Sequence, residues 1–152
     1  MASVTVREVL RQIEAFHREL EGVYSTLAAS SGNQRTRMLA RHLAEREGRL
    51  AKGLDAYEHD ARNETTLGYW FKVVPMPAEG LRVGSESLPA SASTDDLYAF
   101  GLRREEALRE FVGLMSEASA SPRVQELFTD LMTQEEREQR LTSMARLDAQ
   151  DL

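Results

Sequence analysis

Five residues interrupt otherwise apolar helical stripes with groups that can bind metal or move protons: His17, Glu47, Glu105, Glu135 and Glu138. His17 stands between Ile13 and Leu20, and Glu47 between Leu43 and Leu50. Glu105 stands between Gly101 and Leu108, and Glu135 and Glu138 lie between Leu131 and Leu141. His17, Glu47 and Glu105 are four and three residues from those neighbours. Glu135 is four from Leu131, and Glu138 is seven from Leu131 and three from Leu141, so each shares a helix face with apolar residues. Carboxylates and imidazole suit Fe and Mn. Helical bundles hold a pair of such ions with one Glu from each of two helices and a Glu-x-x-His from each of the other two. Here His17 and Glu105 take the single positions, and Glu47 and Glu135 open the paired ones. The second members are Leu50 and Glu138: a side chain that cannot coordinate, and a carboxylate in place of an imidazole. Buried carboxylates are costly unless paired or metal-bound. The same five residues therefore fit a metal site, a structural polar layer in which His17 pairs with Glu47 or Glu105, or a solvated boundary.

Positioning these groups takes four helices. Val6, Leu10, Ile13, Leu20, Val23 and Leu27 predict the first helix, about Val6 to Ala28, with Thr5 and Glu8 as a capping box. The cluster Ser30-Ser31-Gly32-Asn33 ends it, and Ser31 is the expected cap of the next. Leu39, Leu43, Leu50, Leu54 and Tyr57 define a second helix from about Gln34. A third follows Ser93-Thr94-Asp95-Asp96 and runs to about Ala118, with Leu97, Gly101, Leu108, Phe111 and Met115 inward. Ser121-Pro122 opens the fourth, whose expected inward stripe is Val124, Leu127, Leu131, Leu141, Met144 and Leu147.

Between about His59 and Ala92 the helical period is lost to Asn63, Gly68, Pro75, Pro77, Gly80, Gly84 and Pro89. A long connection lets the third helix start from the other end of a bundle. Within it, Tyr69-Trp70-Phe71-Lys72-Val73-Val74 reads as extended. Trp70 and Phe71 are expected to pack on the bundle or on a second subunit, which makes this region the predicted homo-oligomer, dimer-forming surface.

A shift of 88 residues superposes the two halves. Leu20 falls on Leu108, Val23 on Phe111, Leu27 on Met115, Leu39 on Leu127, Leu43 on Leu131 and Glu47 on Glu135. Both helices and the turn between them agree at one offset, which is the signature of an internal repeat.

These patterns resemble the ferritin-like superfamily, rubrerythrin-type bundles in particular. The resemblance rests on Leu20-x-x-x-Tyr24-x-x-Leu27-Ala28, Leu43-Ala44-x-x-Glu47, Glu105-x-x-Leu108 with Phe111, and Leu131-Met132-x-x-Glu135, and covers roughly two thirds of the chain. It implies an all-α four-helix bundle of two hairpins with a long crossover, formed by residues 1–152 as a single domain. It also implies di-iron or di-manganese oxidase or peroxidase chemistry, with Glu47, Glu105 and Glu135 on ligand positions. His17 stands where a Glu is usual, and Leu50 and Glu138 where histidines are usual. The expected function is thus a ferritin-like structural or interaction module without a complete di-iron site and with no resident cofactor; the alternative is an Fe or Mn protein with atypical ligands.

Composition narrows the remaining classes. A formal net charge of −6 with interspersed Lys and Arg offers no basic face for nucleic acid. The absence of cysteine excludes disulfides, thiolate metal sites, thiol nucleophiles and a rubredoxin-like domain. No apolar run approaches a membrane span, and the start reads as an amphipathic helix and not a signal segment, so no membrane role and a cytoplasmic location are expected. His42 and His59 fall off the inward stripes. No Gly-rich phosphate loop and no Ser-His-Asp arrangement is present.

Overall fold

The computed structural model describes residues 3–71, 81 and 88–150, with backbone only for 148–150. Helix α1 spans Val6–Ser30. It starts where predicted: Thr5 Oγ1 accepts from the Glu8 amide at 3.2 Å, and Glu8 Oε2 accepts from the Thr5 amide at 3.0 Å. Ser31 turns extended and closes the helix, its amide donating to the Leu27 carbonyl. Helix α2, Gln34–His59, is capped by Asn33 in place of the expected Ser31, the Asn33 side chain accepting from Thr36 N. Three residues connect the helices, so they run antiparallel and pack along their length. At Gly48 the lack of a side chain makes room for Glu21 of α1, whose Oε2 would collide with a Cβ there.

The connection after α2 is more ordered than its composition predicts. Ala61–Asn63 forms a 3₁₀ turn, entered by Asp60 accepting from Arg62 N, and Glu64–Leu67 forms a single helical turn, α3. The chain then runs extended beside the N-terminus. Val6 N donates to Tyr69 O at 2.9 Å and Phe71 N to Val4 O at 3.0 Å, bracketing an antiparallel bridge between Thr5 and Trp70. Phe71 is buried against Phe128, while Trp70 is 63% exposed. The rest of the predicted aromatic run, residues 72–74, lies outside the described residues.

Helix α4, Thr94–Ala118, begins beside the start of α2, where Thr36 Oγ1 donates to Ala92 O. Helix α5, Pro122–Gln150, begins beside the end of α2, where Tyr57 and Arg123 line a shared cleft. All the regular elements among the described residues are therefore helical, and α2 touches α1, α4 and α5. The 88-residue shift carries α1 onto α4 with both ends included. It also carries one capping box onto the other, Thr5 and Glu8 onto Ser93 and Asp96, and the closing Ser31 onto Ser119.

One apolar core joins these helices. Val9, Leu10, Ile13, Phe16, Leu20, Tyr24 and Leu27 of α1 meet Leu39, Ala40 and Leu43 of α2, Leu97, Phe100, Leu108 and Phe111 of α4, and Val124 and Phe128 of α5. The inward face of α5 departs from its predicted stripe. Val124, Phe128 and Thr142 are buried and Leu127 and Leu131 half-buried, but Leu141, Met144 and Leu147 are 44%, 61% and 61% exposed. Their spacing of three is helical, so it reads as a core stripe, yet it lies on the side of α5 opposite Phe128 and Thr142. The polar groups at Glu135, Gln139 and Thr142 set which side faces inward.

Candidate functional site

At mid-height the apolar core gives way to a layer of charge. His17 comes from α1, Arg46 and Glu47 from α2, Glu105 from α4, and Glu135 and Thr142 from α5. His17, Arg46 and Glu47 are buried to within 2% of complete, and Glu105 and Glu135 lie at its edges. Glu135 Oε1 is 2.9 Å from His17 Nε2, an ion-pair contact lying off the line of a hydrogen bond. His17 Nδ1 bonds Glu47 Oε2. Glu47 Oε1 accepts from Arg46 Nη2 at 2.8 Å, and Arg46 Nη1 lies 2.5 Å from Glu105 Oε1. The same Nη1 donates to Thr142 Oγ1 at 2.7 Å, and that hydroxyl donates onward to the Glu138 carbonyl. The result is a chain of alternating charge, Glu135–His17–Glu47–Arg46–Glu105, crossing from α5 through α1 and α2 to α4.

The proton affinities follow from that alternation. Burial alone would depress the His17 imidazole, but contact with Glu135 and Glu47 overrides it and lifts the pKa to about 9. Burial likewise works against the charge on Glu47, yet His17 and Arg46 hold its carboxyl below the ordinary range. Arg46 is held protonated by Glu47 and Glu105 against its own desolvation. Glu105 goes the other way. Burial, with Glu135 and Glu47 nearby, outweighs Arg46 and raises it to about 7. With all five groups ionised the layer carries two cations and three anions, so a proton on Glu105 makes it neutral.

Four of the five sequence candidates thus meet at one place, and the fifth does not. Glu138 sits at the boundary and pairs with Arg49 at 3.0 Å. Two participants escaped the sequence reading. Thr142 is polar on a stripe assigned a different phase. Arg46 is three residues from Leu43 and four from Leu50, the spacing of an inward position, but a cation beside Glu47 reads as surface. Tyr24 is also part of the surroundings. Its hydroxyl is buried without a partner, directed at Gly101, where a Cβ would stand 3.2 Å away. Burial, with Glu47 close by, raises its pKa.

The donors as arranged do not fit a pair of metal ions. An imidazole ligand must offer a lone pair, and His17 turns Nδ1 to Glu47 and Nε2 to Glu135. Glu47 spends one oxygen on His17 and the other on Arg46. A guanidinium, which does not lose its charge, stands between Glu47 and Glu105. Among the described residues, a cavity of about 10 Å³ lies beside Arg46, Glu105 and Thr142, enough for one water and no substrate.

Elsewhere, the carboxylates of Glu14, Asp55 and Glu58 have oxygens within 4.8 Å of one another, with Glu58 held by Arg7 and Arg11. A cleft of about 340 Å³ between the end of α2 and the start of α5 is lined by Arg62 and Arg123 but equally by Glu126 and Asp130. His42 is half-buried, and His59 is exposed against the Asp55 carbonyl. No helix among the described residues is long and apolar enough to cross a membrane. No protein-family model matches the chain, and no curated protein or solved structure proves significantly similar to it.

Proposed function

We propose that the chain is a ferritin-like four-helix bundle, with a crossover between its second and third long helices, that acts as a non-catalytic structural and interaction module. One observation carries the reading: the Arg46 guanidinium lies among carboxylates that would otherwise attract metal ions. It neutralises Glu47 and Glu105 from within, as His17 neutralises Glu47 and Glu135. An internal cation removes both the electrostatic reason to bind a metal and the space to hold one. The bundle arrangement is supported by the two capped hairpins at one offset and by the opposite-end start of α4. The interaction role is supported by large apolar side chains left in water, among them Tyr69 at 40% and Trp70 at 63%. Monomeric proteins expose such groups sparingly, and aromatics are favoured at the centres of protein contacts.

The test is metal loading. Protein exposed to Fe(II) or Mn(II) under anaerobic conditions, then freed of excess ion, is expected to retain no stoichiometric metal. One or two ions per chain, lost in a Glu47→Gln/Glu135→Gln variant that still folds, would overturn the reading in favour of a metal centre with atypical ligands.

A further inference from the structure

We propose that the seam between α2 and α5 binds a small amphipathic amine, with an aryl or short branched alkyl group in a leucine-lined cavity and the ammonium at Asp130. The site shares no residue with the charge layer and goes beyond the interaction-module reading. A cavity of about 180 Å³ lies between Leu10 of α1, Leu54 of α2, and Leu127 and Leu131 of α5. Gly53, Asp130 and Gln134 also line it and are exposed, so it is reached from solvent. A space of roughly 150 Å³ walled by such side chains is enough to hold a benzene ring. Gly53 keeps the cavity open. It stands inside a long helix, where glycine is the least favourable residue after proline. Yet the nearest atom that a Cβ there would meet, Gln134 Nε2, is 3.9 Å away. Packing does not demand a glycine at this position, and its missing side chain leaves the room that a ligand can take.

The charges beside the cavity select the ligand. Tyr57, Leu127 and Asp130 line both this cavity and the cleft of about 340 Å³ at the start of α5, so the apolar and polar spaces adjoin. Small-molecule sites combine such parts, a mostly apolar wall with a few placed polar groups. Four charged side chains line the cleft: Arg62, Arg123, Glu126 and Asp130. Arg62 is spent on Asp60, its Nη2 donating to Oδ2 at 2.7 Å. Arg123, Glu126 and Asp130 form no ion pair among the described residues, which leaves two acids against one base. The acids also stand nearer the cavity. Asp130 is on its wall and Glu126 one turn back, whereas Arg123 is seven residues from Asp130, about 10 Å along the helix axis. An ammonium whose apolar group enters the cavity meets Asp130, where a carboxylate is repelled. Tyr57, its hydroxyl bonded to Thr66, adds an aromatic wall that suits an aryl group or a cation.

Titration of the full chain with 2-phenylethylamine, followed by calorimetry and amide NMR, should show one saturable site of submillimolar to millimolar affinity. The Gly53 and Leu131 amides should shift as it fills. 3-Phenylpropionate, similar in shape and opposite in charge, and 2-phenylethanol, which is uncharged, should each bind about fivefold more weakly or worse, the worth of one ion pair at such a site. Ethylamine, which lacks the ring, should not bind. Gly53→Leu should fill the cavity and abolish binding while helix content is kept and the thermal midpoint is held or raised, since the position is exposed and leucine favours a helix. Asp130→Asn, a change at an exposed position, should weaken the amine about fivefold and leave 2-phenylethanol as before. Absence of saturable binding overturns the proposal, as does binding that survives Gly53→Leu or that shifts no amide along the seam. Equal affinity for the amine and the alcohol, indifferent to Asp130→Asn, would mean that the cavity takes any apolar group and that no amine site exists. Tighter binding of 3-phenylpropionate, lost in Arg123→Gln, overturns it in favour of a site for an amphipathic acid.

Discussion

An arginine 2% exposed needs a counter-charge on each side, and Arg46 has Glu47 on one and Glu105 on the other, with Thr142 filling a remaining donor site. Such a pair is weak evidence for stability as a whole, because two desolvated charges repay each other only in part. Removing one partner is another matter. Arg46→Ala leaves Glu47 and Glu105 facing each other in the interior without their cation, and should cost about 3–5 kcal/mol in urea unfolding at neutral pH. A loss below about 1 kcal/mol would mean that Arg46 swings to solvent and that the layer is not the closed circuit described. The carboxylates were legible from their spacing. Arg46 was not, because Lys and Arg are almost never fully buried and a cation next to an acid is the commonest pattern on a helix surface. Glu105 on α4 and Thr142 on α5 decide its place, and neither is local in sequence.

At the scale of the element, helix ends were the most legible feature and helix phase the least. Caps are local chemistry, with a hydroxyl or amide accepting an N–H three residues on, so Thr5, Ser93 and the 88-residue repeat could be read without tertiary information. Phase depends on what lies opposite. On α5 the run Leu141, Met144 and Leu147 competes with Phe128 and Thr142 for the inward side, and the ion-pair layer at Glu135 and Thr142 wins. Two truncations measured at low micromolar concentration separate these phases. Phe128→Ala should cost about 3–5 kcal/mol, as expected for an aromatic with no exposed surface. Leu147→Ala should stay within about 0.5 kcal/mol of the parent. Equal costs would restore the stripe that the sequence suggests. The connection after α2 was misread for a related reason: Asn63 breaks a long helix but serves as the junction of two short turns, one led by Asp60.

For the whole molecule, the layer joins the two hairpins through their charges. Both cations of the layer, His17 and Arg46, belong to the first hairpin, and Glu105 and Glu135 belong to the second, so hairpin docking is coupled to protonation. Glu105, raised from 4.5 to about 7, contributes stability that is complete below 4.5 and is lost as pH climbs through 7, because the folded state must then ionise a buried acid that the unfolded state ionises freely. His17, raised from 6.5 to about 9, contributes stability complete below 6.5 and lost as pH passes 9. Glu47, held below its ordinary 4.5, acts in the opposite sense, its contribution present above 4.5 and lost as pH falls through its depressed value. The three together place maximal stability on the acidic side of neutrality, with a decline of on the order of a few kcal/mol between pH 5 and 9. Urea unfolding across that range should show the decline in two limbs. Glu105→Gln should flatten the limb between 4.5 and 7 and leave the limb between 6.5 and 9, since the amide still accepts from Arg46 but no longer titrates. A stability that rises steadily from pH 5 to 9 would show that Glu105 is an ordinary ionised acid at the edge of the layer. His17 would then be a neutral imidazole, and the alternation of charge that links the hairpins would not exist in the folded protein.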